Sequence, residues 1–273
     1  MLMWHVKHTV QGENLYMGNG TNFAVYPSLR DRVVVVTGGA SGIGESMVRA
    51  FAEQGAKIFF LDVQQDAAAA LVKSVEACRN VPGYCPCDLT DIASLKQTIQ
   101  GILDTAGGVD VLVNNAGNDT RHSFEDVSPE FWDQTIAVNL KHQFFAAQAV
   151  IPAMRQARQG SIINMSSIGW MIPSTRQSVY VTAKAAIVGM TRTLAHEVGE
   201  FNIRVNAVMP GAILTERQKR LWLTAEYKAE VLRNQALKRM ILPEEVARLV
   251  LFLAADDSAA ITSQSYVIDA GWV

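Results

Sequence analysis

The chain has 273 residues, 49% of them hydrophobic and 18% charged, with a formal net charge of −2. That length and apolar content suit one large folded α/β domain and exclude a disordered chain. The charge balance, with no basic stripe, argues against nucleic acid as the main partner, and no apolar run approaches the roughly 20 residues that span a bilayer.

Residues 1–30 are polar, Gly/Asn-rich and aperiodic, and are expected to form a flexible extension; Glu13-Asn14-Leu15-Tyr16 resembles part of a protease-cleavage linker. Val33-Val34-Val35-Val36 is a β-branched run of the kind that forms a strand buried on both faces. A helix is expected from Gly42 to about Gln54, a strand over Lys57–Leu61, a helix near 66–79 and a short strand near 83–87. Cys85 and Cys87 belong to that strand. With Cys78 they make an odd total and no metal-ligand pattern, so small buried residues and a reducing cytoplasm are expected, with no metal. The N-terminus, lacking a charged start and an apolar block, also argues against secretion.

A helix near 91–106 leads to a fourth strand over Val109–Asn114. Ser128-Pro129 reads as N-cap and first helical residue, opening one long helix toward Arg155. A strand over Ser161–Met165, a helix near 178–199 and a strand over Ile203–Met209 follow. A looser insertion at about 212–240 precedes a helix starting at Pro243, and Ser265–Asp269 closes as a seventh strand. Strict β/α alternation predicts a single doubly wound α/β domain over residues 31–273, its parallel sheet covered by helices on both faces.

Thr37-Gly38-Gly39-Ala40-Ser41-Gly42-Ile43-Gly44 joins the first strand to the first helix. Glycines let the backbone approach a pyrophosphate, and the helix start offers free N–H groups and a favourable dipole. The turn therefore predicts a dinucleotide, held around Gly38, Ser41, Gly42, Ile43 and Gly44. Asp62 ends the second strand, where a carboxylate can accept hydrogen bonds from a ribose diol and repel a 2′-phosphate. No Arg or Lys lies in the turn to offset it, so NAD is expected over NADP.

Tyr180 and Lys184 are four residues apart at the start of a helix and share one face. A phenol with a pKa of about 10 becomes a useful base only when nearby positive charge favours its anion. Lys184, aided by an oxidised nicotinamide, can supply that charge. Ser166-Ser167 follow the fifth strand, Asn114-Asn115-Ala116-Gly117 end the fourth, and Asn139 lies inside the long helix, where it can organise a water or a backbone distortion. Alone, each is an ordinary cap or turn residue. Together they map to the carboxyl edge where open α/β sheets bind ligands.

On these motifs residues 30–273 resemble the short-chain dehydrogenases/reductases. Thr37, Gly38, Gly42 and Gly44 meet the family's T-G-x-x-x-G-x-G element, and Asn114–Gly117 its N-N-A-G element. The resemblance implies a Rossmann domain with a seven-stranded sheet and a catalytic tetrad of Asn139, Ser167, Tyr180 and Lys184. It implies further cofactor contacts from Asp88 and Leu89 (beside the adenine), Asn115, Gly117, Pro210, Gly211, Ile213 and Thr215. It also implies a homotetramer built on the long helices and the C-terminal strand. A non-enzymatic dinucleotide sensor would be expected to carry a damaged tetrad, and this one is complete.

Within the family, Asn118–His122, Trp170, Gln218, Trp222, Tyr26–Leu29 and the ending Ile268–Trp272 resemble bacterial NAD-dependent aldose 1-dehydrogenases acting on D-xylose, L-arabinose or D-galactose. That implies a sugar substrate held by Asn118, Ser167, Trp170, Tyr180, Gln218 and Trp222 and oxidised at C1. Amides and charged groups such as Asn118, Arg121 and Gln218 suit its hydroxyls and tryptophans its ring face, although the tryptophans also suit ordinary packing and Arg121 and His122 a solvated loop. The competing reading is a dehydrogenase or reductase for an oxoacyl, steroid-like or other secondary alcohol or ketone.

Overall fold

A computed structural model describes residues 23–273. Seven parallel strands form one sheet: β1 (Val33–Thr37), β2 (Lys57–Asp62), β3 (Gly83–Pro86), β4 (Val111–Asn114), β5 (Gly160–Met165), β6 (Ile203–Pro210) and β7 (Ser265–Ile268). Their order is β3-β2-β1-β4-β5-β6-β7, so the chain reverses direction across the sheet between β1 and β4. A switch of this kind opens a crevice at the carboxyl ends of the two strands.

The β-branched run of β1 explains why it lies at the centre. Val34 and Val36 enter the core on one face, with Phe51 of α1 (Gly42–Glu53) and Val250 of α9 (Pro243–Ala254). Val33 and Val35 enter the core on the other, with Ile99 of α3 (Ile92–Ala106), Val150 of α5 (His142–Ala157) and Ala195 of α6 (Ser178–Val198). Every β1 residue is buried, as expected for a strand covered twice.

Three expectations are corrected. The helix after β2, α2 (Gln65–Ser74), ends at Ser74 rather than near 79. The long helix from Ser128 is interrupted: α4 (Pro129–Ile136) passes into a π turn over Ala137–Lys141 before α5. The Asn139 side chain donates to the Thr135 carbonyl at 3.0 Å, inserting itself where the α ladder would continue, which accounts for the widened turn. The looser insertion at 212–240 contains two helices, α7 (Glu216–Leu221) and α8 (Ala225–Asn234), capped by the Thr215 and Thr224 hydroxyls.

The expected extension, including Glu13–Tyr16, lies largely outside the described residues. Within them, Pro27–Leu29 form a 3-10 turn with Leu29 in the core, and the Tyr26 N–H donates to the Gln54 side chain at 2.7 Å. Packing therefore begins before residue 31.

Candidate active site

The glycine turn is tied to the end of β4. The Asn115 amide donates to the carbonyls of Thr37 (3.1 Å) and Gly38 (2.9 Å), while the Thr37 hydroxyl accepts from the N–H groups of Asn115 and Ala116. Asn115 thus shapes the predicted cradle through the turn's backbone. The turn folds on itself so tightly that a Cβ on Gly44 would lie 1.9 Å from the Gly38 carbonyl oxygen, leaving no room for a side chain.

The cradle suits a pyrophosphate. Ser41, the N-cap of α1, makes no side-chain cap bond, whereas Asp91, Ser128, Thr215 and Thr224 all cap their helices. The first N–H groups of α1 are thereby left to an anion. Ile43 is packed behind the turn.

Asp62 is buried at the neighbouring strand end. Its Oδ2 accepts from Ala40 N–H at 2.9 Å and its Oδ1 from Gln64 N–H at 3.0 Å. Two N–H bonds fix the carboxylate and leave lone pairs for a diol. Farther along the edge Leu89 is buried, and Asp88 is exposed and bonded to Thr90. On the opposite side, Thr215 lies beside Gly42, Ile213 is buried and bridged to Ile241, and the Gly211 N–H donates to the carbonyl of Ile268 after Pro210.

The end of β5 fixes the tyrosine–lysine pair. Lys184 Nζ donates to the Met165 carbonyl at 2.9 Å, and the Ser166 hydroxyl donates to the Lys184 carbonyl at 2.6 Å. Ser167, the next residue, has its hydroxyl placed to favour the Tyr180 phenolate, and its Oγ accepts from the Gly169 N–H at 3.0 Å. Asn139 grips the backbone of Asn118 twice, accepting its N–H at 2.9 Å and donating to its carbonyl at 3.0 Å. A Cβ on Gly117 would stand 3.1 Å from Asn139 Oδ1 and 3.3 Å from Lys184 Nζ, so glycine there admits both groups.

The four predicted tetrad positions and Gly117 are therefore brought to one rim. Burial pushes the Tyr180 phenol above its ordinary value and the Asp119 carboxylate adds to this, against the Ser167 hydrogen bond. Desolvation lowers Lys184 to about 8, opposed by Asp119. Lys184 Nζ stands 5.5 Å from the Tyr180 ring centroid, and its charge alone does not bring the phenol down.

A cavity of about 240 Å³ opens on Ser167 and Tyr180, and it also meets Asp119, Arg121, Gln218 and Trp272. Among the expected substrate contacts, Ser167, Tyr180 and Gln218 line it. Three lie elsewhere. Asn118 Oδ1 accepts from Thr120 and from Arg217 outside the lining, Trp170 is partly exposed away from it, and Trp222 backs it from beneath Arg121. Arg121, expected as a partner for sugar hydroxyls, lines it too, and Asp119, Tyr227 and Trp272 complete the site, of which Tyr227 carried no expectation. Asp119 accepts from Arg217 (3.1 Å) and Gln218 (3.0 Å), fastening α7 to the loop after β4. Asp269 accepts three N–H groups at 2.8–3.1 Å, from Gly271, Trp272 and Val273, and so holds Trp272 at the cavity.

The chain belongs to the short-chain dehydrogenase/reductase family of oxidoreductases: residues 38–273 match the family described as enoyl-(acyl carrier protein) reductase. It is 47% identical over 249 residues to D-xylose 1-dehydrogenase of Caulobacter vibrioides, covering 91% of this chain and 98% of that one. It is 45% identical over 247 residues to a sequence named as a galactose dehydrogenase, GalD, of Rhizobium meliloti, covering 90% and 96%. A 3-oxoacyl-[acyl-carrier protein] reductase structure from Brucella melitensis superposes with a TM-score of 0.83 at 31% identity, covering 91% and 94%. The family typically uses a nicotinamide cofactor.

One pH effect follows from the core of this site. His142, fully buried, is held down to about 3 by desolvation and then by the Lys184 charge, with the Ala137 and Val138 carbonyls opposing. An unfolded histidine near 6.5 takes up a proton that the folded one refuses. Stability should therefore be fully present above about pH 6.5 and fall as the pH drops toward 3. Melting temperature measured across that window should decline, and His142→Leu should flatten the decline; an unchanged slope in the variant contradicts the assignment.

Proposed function

We propose that the chain oxidises an aldose at C1 with NAD, giving the sugar lactone. The observation that carries this reading is a small polar cavity on which Ser167 and Tyr180 converge, with Lys184 pinned behind them. The names of the two sugar-dehydrogenase relatives support the same substrate class.

Ser167 and Tyr180 hold the anomeric hydroxyl between their own oxygens, and Tyr180 as phenolate takes its proton. A nicotinamide held at this rim would supply the hydride acceptor for C1, and its positive charge would favour the phenolate that burial disfavours. Lys184 is placed to hold the nicotinamide ribose and, with Asn139, to pass the proton from Tyr180 toward solvent. Asp62 favours the free ribose diol of NAD over a 2′-phosphate.

A second reading, reduction of an oxoacyl or other ketone substrate, has the Brucella melitensis structure in its favour. Charged and amide side chains at Asp119, Arg121 and Gln218 make the cavity a poorer match for an apolar chain.

We further propose a homotetramer in the cytoplasm. Ile136, Leu140, Phe144, Met190 and Leu194 line an apolar groove of about 840 Å³ on the α4–α5–α6 face, with Phe144 52% exposed. An apolar groove that leaves a phenylalanine this exposed suits burial against a second copy of the chain. The cysteines Cys78, Cys85 and Cys87 are free, as suits a reducing compartment, and among the described residues no helix is long and apolar enough to cross a membrane. Sedimentation as a monomer would contradict the tetramer.

Initial rates with pentoses, hexoses, acyl ketones and hydroxysteroids test the substrate class. NAD should outperform NADP by about tenfold or more, and Asp62→Ala should narrow that ratio. Tyr180→Phe should lower kcat by about 10²–10⁴-fold while cofactor binding is retained; retained kcat removes the base from Tyr180.

A further inference from the structure

The segment that follows β4 is anchored on three sides. Asn139 clamps the backbone of Asn118, the Asp119 carboxylate binds Arg217 and Gln218 of α7, and the His122 N–H donates to the Arg176 carbonyl at 2.9 Å. Arg121 stands in the middle of this fastened stretch. Its guanidinium carbon is 4.3 Å from the ring centroid of Trp222 and 5.6 Å from that of Tyr227, so the planar group is laid against two aromatic faces.

Arg121 lines the same cavity as Ser167 and Tyr180, yet its Nε–H is buried without an acceptor. Among the described residues no carboxylate lies within ion-pair distance of it, and Asp119 pairs with Arg217. That N–H is shielded from solvent, so Arg121 meets the cavity through its other atoms, and those are the donors a ligand there can reach. The indole Nε1–H of Trp222 beneath it is likewise buried and unpartnered.

We propose that Arg121 is the specificity-determining residue of the cavity, its guanidinium fork reading two adjacent hydroxyls of a neutral sugar ring held by Ser167 and Tyr180. Two side-by-side oxygens match two parallel N–H donors. Orientation by two aromatic faces removes most of the ordering cost of a long side chain before the substrate arrives. Neutrality follows from the local charge. Asp119 and Glu230 line the cavity with Arg121, and Arg217 offsets Asp119, so the four charges balance and an anionic substrate gains nothing. This inference rests on the aldose reading above.

The test compares wild type with Arg121→Met on D-xylose, on its 2-, 3- and 4-deoxy analogues, and on cyclohexanol as a single-hydroxyl alcohol. Wild type should lose about 10- to 100-fold in kcat/KM when either of two adjacent hydroxyls is removed. Arg121→Met should lose a similar factor on the parent sugar, mainly through KM. It should then show little further loss with the same deoxy analogues, and a smaller change on cyclohexanol than on the parent sugar. Thermal stabilisation by NAD reports that the variant is folded, and if it is not, Arg121→Lys, which keeps charge and stem, should give the same flattened pattern in weaker form.

A deoxy profile in Arg121→Met or Arg121→Lys identical to that of wild type overturns the proposal. Preference for D-glucuronate over D-glucose that disappears with Arg121 overturns the neutral class. If wild type oxidises no aldose at all, the functional reading itself falls, which is a separate outcome.

Discussion

A lysine ammonium buried at the carboxyl end of a parallel sheet must be given an acceptor, because an isolated charge in the interior is costly. Met165 supplies it as the last residue of β5, and the rest of the site follows from that bond. The Ser166 hydroxyl on the Lys184 carbonyl fixes the same helix at a second point. With α6 held by residues 165 and 166, residue 167 falls against the tyrosine one turn earlier in the helix. Gln143 donates to the same Met165 carbonyl at 3.4 Å, so α5 shares the anchor. Three consecutive residues, the last of the strand and the two that follow it, thus set the lysine, its helix and the tyrosine.

The glycine turn meets a comparable constraint through other means. Its backbone carbonyls point at the end of β4, and the Asn115 amide satisfies two of them. The turn is thereby fixed by the same strand whose next residues, Gly117 and Asn118, stand beside Lys184 and Asn139. A cradle for phosphate and a rim for chemistry share one peptide segment. Their relative position is then set by covalent geometry, a precise way to align a cofactor with a substrate.

The sheet and its rim were legible in the sequence because each rests on local signals. β1 declares itself through four consecutive valines, and the turn, Asp62, Ser167 and the Tyr180–Lys184 pair sit at fixed offsets from strands whose order was readable. The π turn at Asn139 was only half legible: a distortion was foreseen, but the Asn118 backbone that it serves lies 21 residues away. Helices α7 and α8 were missed because they are short and charged, without a broad apolar stripe. Thr215-Glu216 and Thr224-Ala225-Glu226, each an N-cap followed by an acid in the first turn, were the signals available. Arg121 was legible as a partner for hydroxyls, but the contacts between distant loops that bring it, Asp119 and Trp272 to one cavity are encoded by no local period. Trp170 shows the converse: three residues after Ser167 in sequence, it is not part of the cavity lining that Ser167 joins.

The central claim is that hydride leaves C1 of an aldose. It is tested most directly with D-xylose carrying deuterium at C1, incubated with the protein and NAD and followed by NMR. The account predicts deuterium at C4 of the reduced nicotinamide together with the unlabelled lactone. Label retained in the sugar during turnover, or reduction of the cofactor with label found only in water, would contradict it.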